Sequence, residues 1–165
     1  MYVTPRRRFT ILLFVFFSAL VIAGAVFFVL FFRASSNGKL EIRDSGTGKL
    51  YGTWALDEGG EFAVEFIHSV NQSPVRETFI VEDGIIRPLS VRFYSFGAGM
   101  QSDVEEGQTL SRDGDALVIS GFASSFKTLN YIVGTVSDHL LFINGETVSL
   151  RELCGRNAHI AIRYR

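Results

Sequence analysis

Hydrophobic and polar residues follow two different rhythms along this chain. From Phe9 to Phe32, 24 residues pass without a charge, and 18 of them are Phe, Leu, Ile or Val. At 1.5 Å per residue a helix of that length reaches about 36 Å, more than the roughly 30 Å hydrocarbon core of a bilayer. The pattern predicts a single transmembrane helix over residues 9–32. Beyond it helical periodicity vanishes, and short runs alternate apolar with polar residues between turn signals. Strands are expected at Leu40–Asp44, Lys49–Leu56, Glu61–His68, Val75–Glu82, Ile85–Tyr94, Gln108–Arg112, Ala116–Ser120, Leu129–Val136, His139–Ile143, Glu146–Leu150 and His159–Tyr164.

The turn residues sharpen that reading. Asp83-Gly84, Asp113-Gly114 and Asn144-Gly145 are two-residue hairpin connections of the kind that needs positive φ, and Ser137-Asp138 is a fourth, weaker one. Pro88 cannot donate to a ladder, so the Ile85–Tyr94 strand should lie at an edge or carry a bulge there. Many short strands with closely spaced turns give an all-β domain, an antiparallel β-sandwich or partly open barrel. The organisation expected is a basic stub at 1–8, the helix at 9–32, a linker at 33–38 and a β-domain at 39–165.

Charge adds a direction. Arg6, Arg7 and Arg8 precede the apolar run, whereas Arg33, Lys39 and Arg43 after it are mixed with Glu41 and Asp44. The excess of positive charge upstream predicts a cytoplasmic amino terminus and an extracytoplasmic β-domain, anchored in the cytoplasmic membrane and in contact with its lipid. A cleaved signal peptide is the competing reading, with Ala34, Ser35 and Ser36 as a processing site. The apolar stretch exceeds the 7 to 15 residues usual for such a signal, which favours an uncleaved anchor. Residues 34–165 hold 12 basic and 17 acidic side chains, a net of −5, which speaks against nucleic acid as a partner. The single Cys154 cannot form an internal disulfide, so stability must come from packing.

Candidate chemistry gathers in one hairpin. Alternation puts Phe62, Val64, Phe66 and His68 on one face of their strand, and Val75, Glu77, Phe79 and Val81 on one face of the next. With a loop at Val70–Ser73, His68 would lie opposite Val75 with Glu77 as its diagonal neighbour, an imidazole beside an inward carboxylate. The pair either satisfies the loop and fixes register or forms a polar spot at the mouth of the core where a ligand carboxylate, a metal or a partner segment could dock, as in a tethered small-anion or peptide binding module. Gly97-Ala98-Gly99 could present backbone amides to an anion or simply make a turn. Ser69 lies on the opposite face from His68, which is wrong for a nucleophile and its base. Cys154 with His159 matches no catalytic signature, and His68, Glu77, His139 and His159 match no zinc spacing. No enzyme activity, metal or cofactor is expected.

The segments FIHSVNQSPVRETF (66–79), SFGAGMQ (95–101) and YIVGTVSDHLLFINGETVSL (131–150) resemble the bacterial domain-of-unknown-function family numbered 1850. The motif positions are His68-Ser69-Val70 with Pro74 and Glu77, then Gly97-Ala98-Gly99, then Ser137-Asp138-His139. The resemblance implies a small all-β domain and no established activity. Members are often encoded beside TAXI-type tripartite ATP-independent periplasmic (TRAP) transporters, which implies an accessory role in solute uptake with transporter subunits or the solute receptor as partners. It gives His68, Glu77, Gly97, Gly99 and His139 interest as binding positions.

Overall fold

Each of the eleven alternating runs is a strand. The computed structural model describes residues 38–95 and 104–165. They form β1 (Lys39–Asp44), β2 (Leu50–Ala55), β3 (Glu61–Ile67), β4 (Pro74–Glu82), β5 (Ile85–Phe93), β6 (Thr109–Asp113), β7 (Ala116–Ser120), β8 (Leu129–Ile132), β9 (His139–Ile143), β10 (Glu146–Ser149), the helix α1 (Leu150–Cys154) and β11 (His159–Tyr164). The basic stub and the transmembrane helix expected at 9–32 lie outside the described residues. No helix among the described residues is long and apolar enough to cross a membrane.

The strands pair antiparallel into two open sheets, one of four strands in the order β2-β1-β11-β8 and one of seven in the order β10-β9-β3-β4-β5-β7-β6. The all-β expectation holds. Because side chains alternate across a pleat, each sheet offers one apolar face. Leu40, Ile42, Ile160, Ile162 and Leu129 of the small sheet share a core with Phe62, Val64, Phe79, Val81, Leu141 and Ile143 of the large one. Phe62 and Phe79 are direct cross-strand partners and stack with centroids 5.2 Å apart. Each of these large side chains contributes on the order of 1.5–3 kcal/mol by leaving water. A smaller cluster of Val75, Phe93, Leu117 and Ile119 packs under the other end of the large sheet.

The turns follow their residues, with one shift. Asp83 and Gly84 (φ 54° and 72°) and Asn144 and Gly145 (φ 51° and 78°) both take the left-handed conformation that a type I′ turn needs. At the third site Asp113 still pairs with Ala116, so the turn is Gly114-Asp115 with positive φ at Gly114 alone, as in type II′. Pro88 sits at a bulge: Thr78 opposes Ser90 and Phe79 opposes Pro88, leaving Leu89 unmatched. Beyond the bulge β5 still pairs with β4, but its other edge has lost β7 and carries an isolated bridge from Ile86 to Phe126. A residue without an N–H is harmless there.

Ser137-Asp138 does not close a hairpin, because β8 belongs to the small sheet and β9 to the large one. The segment between them crosses from sheet to sheet, and its polar groups hold the crossing. Asp138 accepts from the backbone N–H of Arg151 (3.0 Å) and from the Ser149 hydroxyl, while Arg151 donates to the Val136 carbonyl (3.1 Å). Ser149 in turn caps α1, accepting from the Glu152 N–H at 3.0 Å. A side chain at Gly134 would come within 2.1 Å of the Ser137 carbonyl, so the crossing admits only glycine there. The five-residue α1 takes Leu150 away from the strand expected to end on it. A helix that short shows no period in sequence.

The outer face of the small sheet is polar and tightly paired. Glu41, only 3% exposed, is ringed by Arg43 (2.9 Å), Lys39 (3.2 Å) and Arg165 (3.6 Å). The Arg43 hydrogen bond leads the effects that hold this carboxyl below its ordinary range, against the opposing cost of burial.

Candidate functional site

Inward parity places Glu77 on the core face of β4, as the alternation predicts, but its partner is not His68. In the β3–β4 hairpin Phe66 opposes Val75, Ile67 opposes Pro74, and Glu77 opposes Val64. The His68 N–H donates to the Ser73 carbonyl (2.9 Å), so His68 lies opposite Ser73 rather than Val75. The loop is tighter than expected, because its backbone curls onto the imidazole: Nδ1 accepts from the N–H groups of Val70 and Asn71, both at 3.3 Å. That curl shifts the pairing by two residues and leaves His68 about 13 Å along β3 from the Val64–Glu77 pair. His68 is thus a loop-holding residue. Gly97 and Gly99 lie outside the described residues.

Glu77 instead meets the other sheet. Leu129, Tyr131 and Val133 share the inward parity of β8 and its continuation, and Tyr131 sends its phenol across the core to donate to Glu77 Oε2 at 2.5 Å. His139, at the start of β9, joins from the side. Its ring stacks on Phe66 (centroids 5.1 Å, planes 20° apart) and meets Tyr131 edge-on at 6.1 Å. His139 Nδ1 accepts from the Gly134 N–H at 3.2 Å, which puts the ring proton on Nε2. Of the expected site residues, Glu77 and His139 are therefore brought together through Tyr131, a residue that motif reading passed over. Its signal was present: a tyrosine on the core side of a strand needs a partner for its hydroxyl.

Glu77 and Tyr131 stand at a cleft of about 460 Å³, within the range of small-molecule sites, and His139 lies behind Tyr131. Glu77, Phe79 and Val91 of the large sheet form one wall and Tyr131 another, while Phe122 and Phe126 come from the loop between β7 and β8. The cleft exists because the small sheet ends at β8, so that a loop rather than a strand covers this part of the large sheet.

The electrostatics leave one uncompensated charge. Burial pushes the Glu77 carboxyl above its ordinary range, and the Tyr131 hydrogen bond only partly opposes it. Burial, reinforced by the adjacent carboxylate, pushes the Tyr131 phenol up, so it keeps its proton and donates. Burial lowers His139 despite Asp138, which favours the neutral imidazole. Among the described residues none that lines the cleft is Lys, Arg or His, and no ion pair involves Glu77.

The Cys154 thiol, pushed up to about 11 by burial, stays protonated at neutral pH. His159 is exposed, as its alternation against Ile160 and Ile162 predicts. Among the described residues no group of three His, Cys, Asp or Glu could hold a metal ion. What the cleft offers is a shaped, apolar space with a carboxylate in its wall.

Comparison with known proteins agrees with the motifs. The family profile described as Domain of unknown function (DUF1850) matches residues 62–150, more than half of the chain and every strand that builds the cleft. No curated protein and no solved structure matches the sequence.

Proposed function

Since the chain belongs to the DUF1850 family, we propose that it is a membrane-anchored extracytoplasmic binding module and serves as an accessory component of a TRAP-type solute uptake system. Its β-domain holds a small solute in the Glu77–Tyr131 cleft. The observation that carries the reading is the half-buried Glu77 carboxylate, which has a neutral phenol beside it and no cation among the described residues. A fold keeps a desolvated, unpaired charge at a cost unless something else pairs with it. The Phe9–Phe32 run behind Arg6, Arg7 and Arg8 supports the anchor and its direction. The association of related sequences with transporters supports the accessory role.

Two measurements on the full-length protein test the reading. Thermal unfolding in detergent against a panel of small organic acids, amines and polyols should single out a stabilising solute. A ligand at 100 times its dissociation constant adds about 2.7 kcal/mol. No shift from any member of the panel removes the binding module. Crosslinking from positions just after Arg33 in native membranes should capture transporter subunits or their solute receptor. Recovery of the chain alone removes the accessory role.

A further inference from the structure

Resting on the binding reading above, we infer that the Glu77 cleft accepts an organic cation: a small solute with a protonated amine on an apolar body. Among the described residues of the lining Glu77 supplies the only formal charge, and that charge is negative. A second carboxylate brought into this half-buried space would face like-charge repulsion in addition to desolvation. An ammonium group would do the reverse and supply the counter-charge the fold withholds.

The rest of the wall suits the same ligand. Phe79, Phe122, Phe126 and Tyr131 line the space, and aromatic faces attract desolvated cations through their quadrupoles. Ser124 and Thr128 of the loop between β7 and β8 also line the space, and a hydroxyl oxygen can accept from the remaining ammonium protons. The protein uses the same chemistry internally on the outer face of the large sheet, where the Arg76 guanidinium lies 3.8 Å over the Phe142 ring. Charge, aromatic surface and acceptors therefore agree on one ligand class.

The groups packed around Glu77 make the inference readable by pH. From β8 comes Tyr131, which keeps its proton; β3 and β5 present Val64 and Val91 opposite it; His139 of β9 faces Tyr131 rather than the carboxylate. Glu77 is then the group whose ionisation ammonium binding should couple to, and binding should release a proton at pH values where Glu77 is still partly protonated.

Three probes of matched size decide the matter: benzylamine, benzyl alcohol and benzoate, titrated calorimetrically into the full-length protein in detergent. Benzylammonium should bind at least tenfold more tightly than either analogue, tighten as pH rises through the Glu77 titration, and release protons when measured in buffers of different ionisation enthalpy. Glu77→Gln should reduce its affinity to that of benzyl alcohol. That variant keeps an acceptor for Tyr131, and an unfolding temperature no lower than that of the wild type shows it folded. Tyr131→Phe, which keeps the charge, should retain the preference for amine over alcohol. Benzoate or benzyl alcohol binding as tightly as benzylammonium, with sensitivity to substitution at Glu77, overturns the cation and keeps the cleft. Benzylammonium binding unchanged by Glu77→Gln also overturns the inference. Binding of none of the three probes overturns both the cation and the binding reading beneath it.

Discussion

Two carboxylates on facing sheets meet opposite fates. Glu41, on the outside of the small sheet, is 3% exposed yet surrounded by Lys39, Arg43 and Arg165, and its acidity is strengthened. Glu77, in the cleft, touches one neutral phenol, and its acidity is weakened. The strand pattern alone would rank the inward Glu77 as the one needing a salt bridge. The protein places its cations around the other. A buried charge with its counter-ions built in is finished as structure, whereas one left without them is open to something from outside.

That contrast can be broken most strongly at Glu41. Glu41→Gln leaves the neighbouring cations facing one another and should cost about 1–2 kcal/mol, well below buried-pair losses because the cations lie largely in water. Denaturant unfolding followed by Trp54, the single tryptophan, measures it. Glu77→Gln should act in the opposite direction, stabilising the ligand-free protein by about 1 kcal/mol, since an ionised group leaves a half-buried site while the amide still accepts from Tyr131. A loss of similar size in that assay would make Glu77 a structural residue.

The partner of Glu77 gives a finer cut. Tyr131→Phe should cost about 1 kcal/mol in the wild type, with a smaller loss in the Glu77→Gln background because a hydrogen bond to a charged acceptor is the stronger one. A double-mutant cycle with no coupling would separate the two residues energetically. The smallest effect is in pH. Glu77 has a folded-state pKa above its unfolded value near 4.3, so the stability linked to it is complete below that value and is lost as pH rises through the folded pKa. For Glu41 the folded pKa is the lower one, so its contribution is present above about 4.3 and is lost as pH falls through the folded pKa. The gap between each Gln variant and wild type should therefore open as pH rises, below about 4.3 and in favour of wild type for Glu41, above about 4.3 and in favour of the variant for Glu77.

Much of the fold was legible because a period of two and a handful of turn residues carry it. Asp83-Gly84 and Asn144-Gly145 fixed their hairpins, and Pro88 announced its bulge. The face of Glu77 could be read in the same way. Its partner could not, since a two-residue shift of register keeps every side chain on its face while changing what lies beside it. The shift depends on a loop that closes on the His68 ring, which alternation does not report. Tyr131 was hidden for another reason: parity places it inward but does not say that β8 joins the small sheet and looks across at β4. The crossing at Ser137-Asp138 resembled a hairpin because its hydrogen bonds go to α1, a helix too short to leave a pattern.

The cleft wall that bears Tyr131 depends on the ladder between β1 and β11. Among the described strands β8 hydrogen-bonds to β11 alone, and β11 is anchored by β1, whose residues come from the opposite end of the described chain. Most pairings of the large sheet join neighbours in sequence and close short loops, whereas the β1–β11 pairing must gather nearly the whole domain before it forms. Glu77 is therefore expected in place early in folding, with the phenol that completes its surroundings arriving late. Pulsed hydrogen exchange should find the β3 and β4 amides protected before those of β8. A solute that needs both walls can then recognise only a chain whose folding is finished.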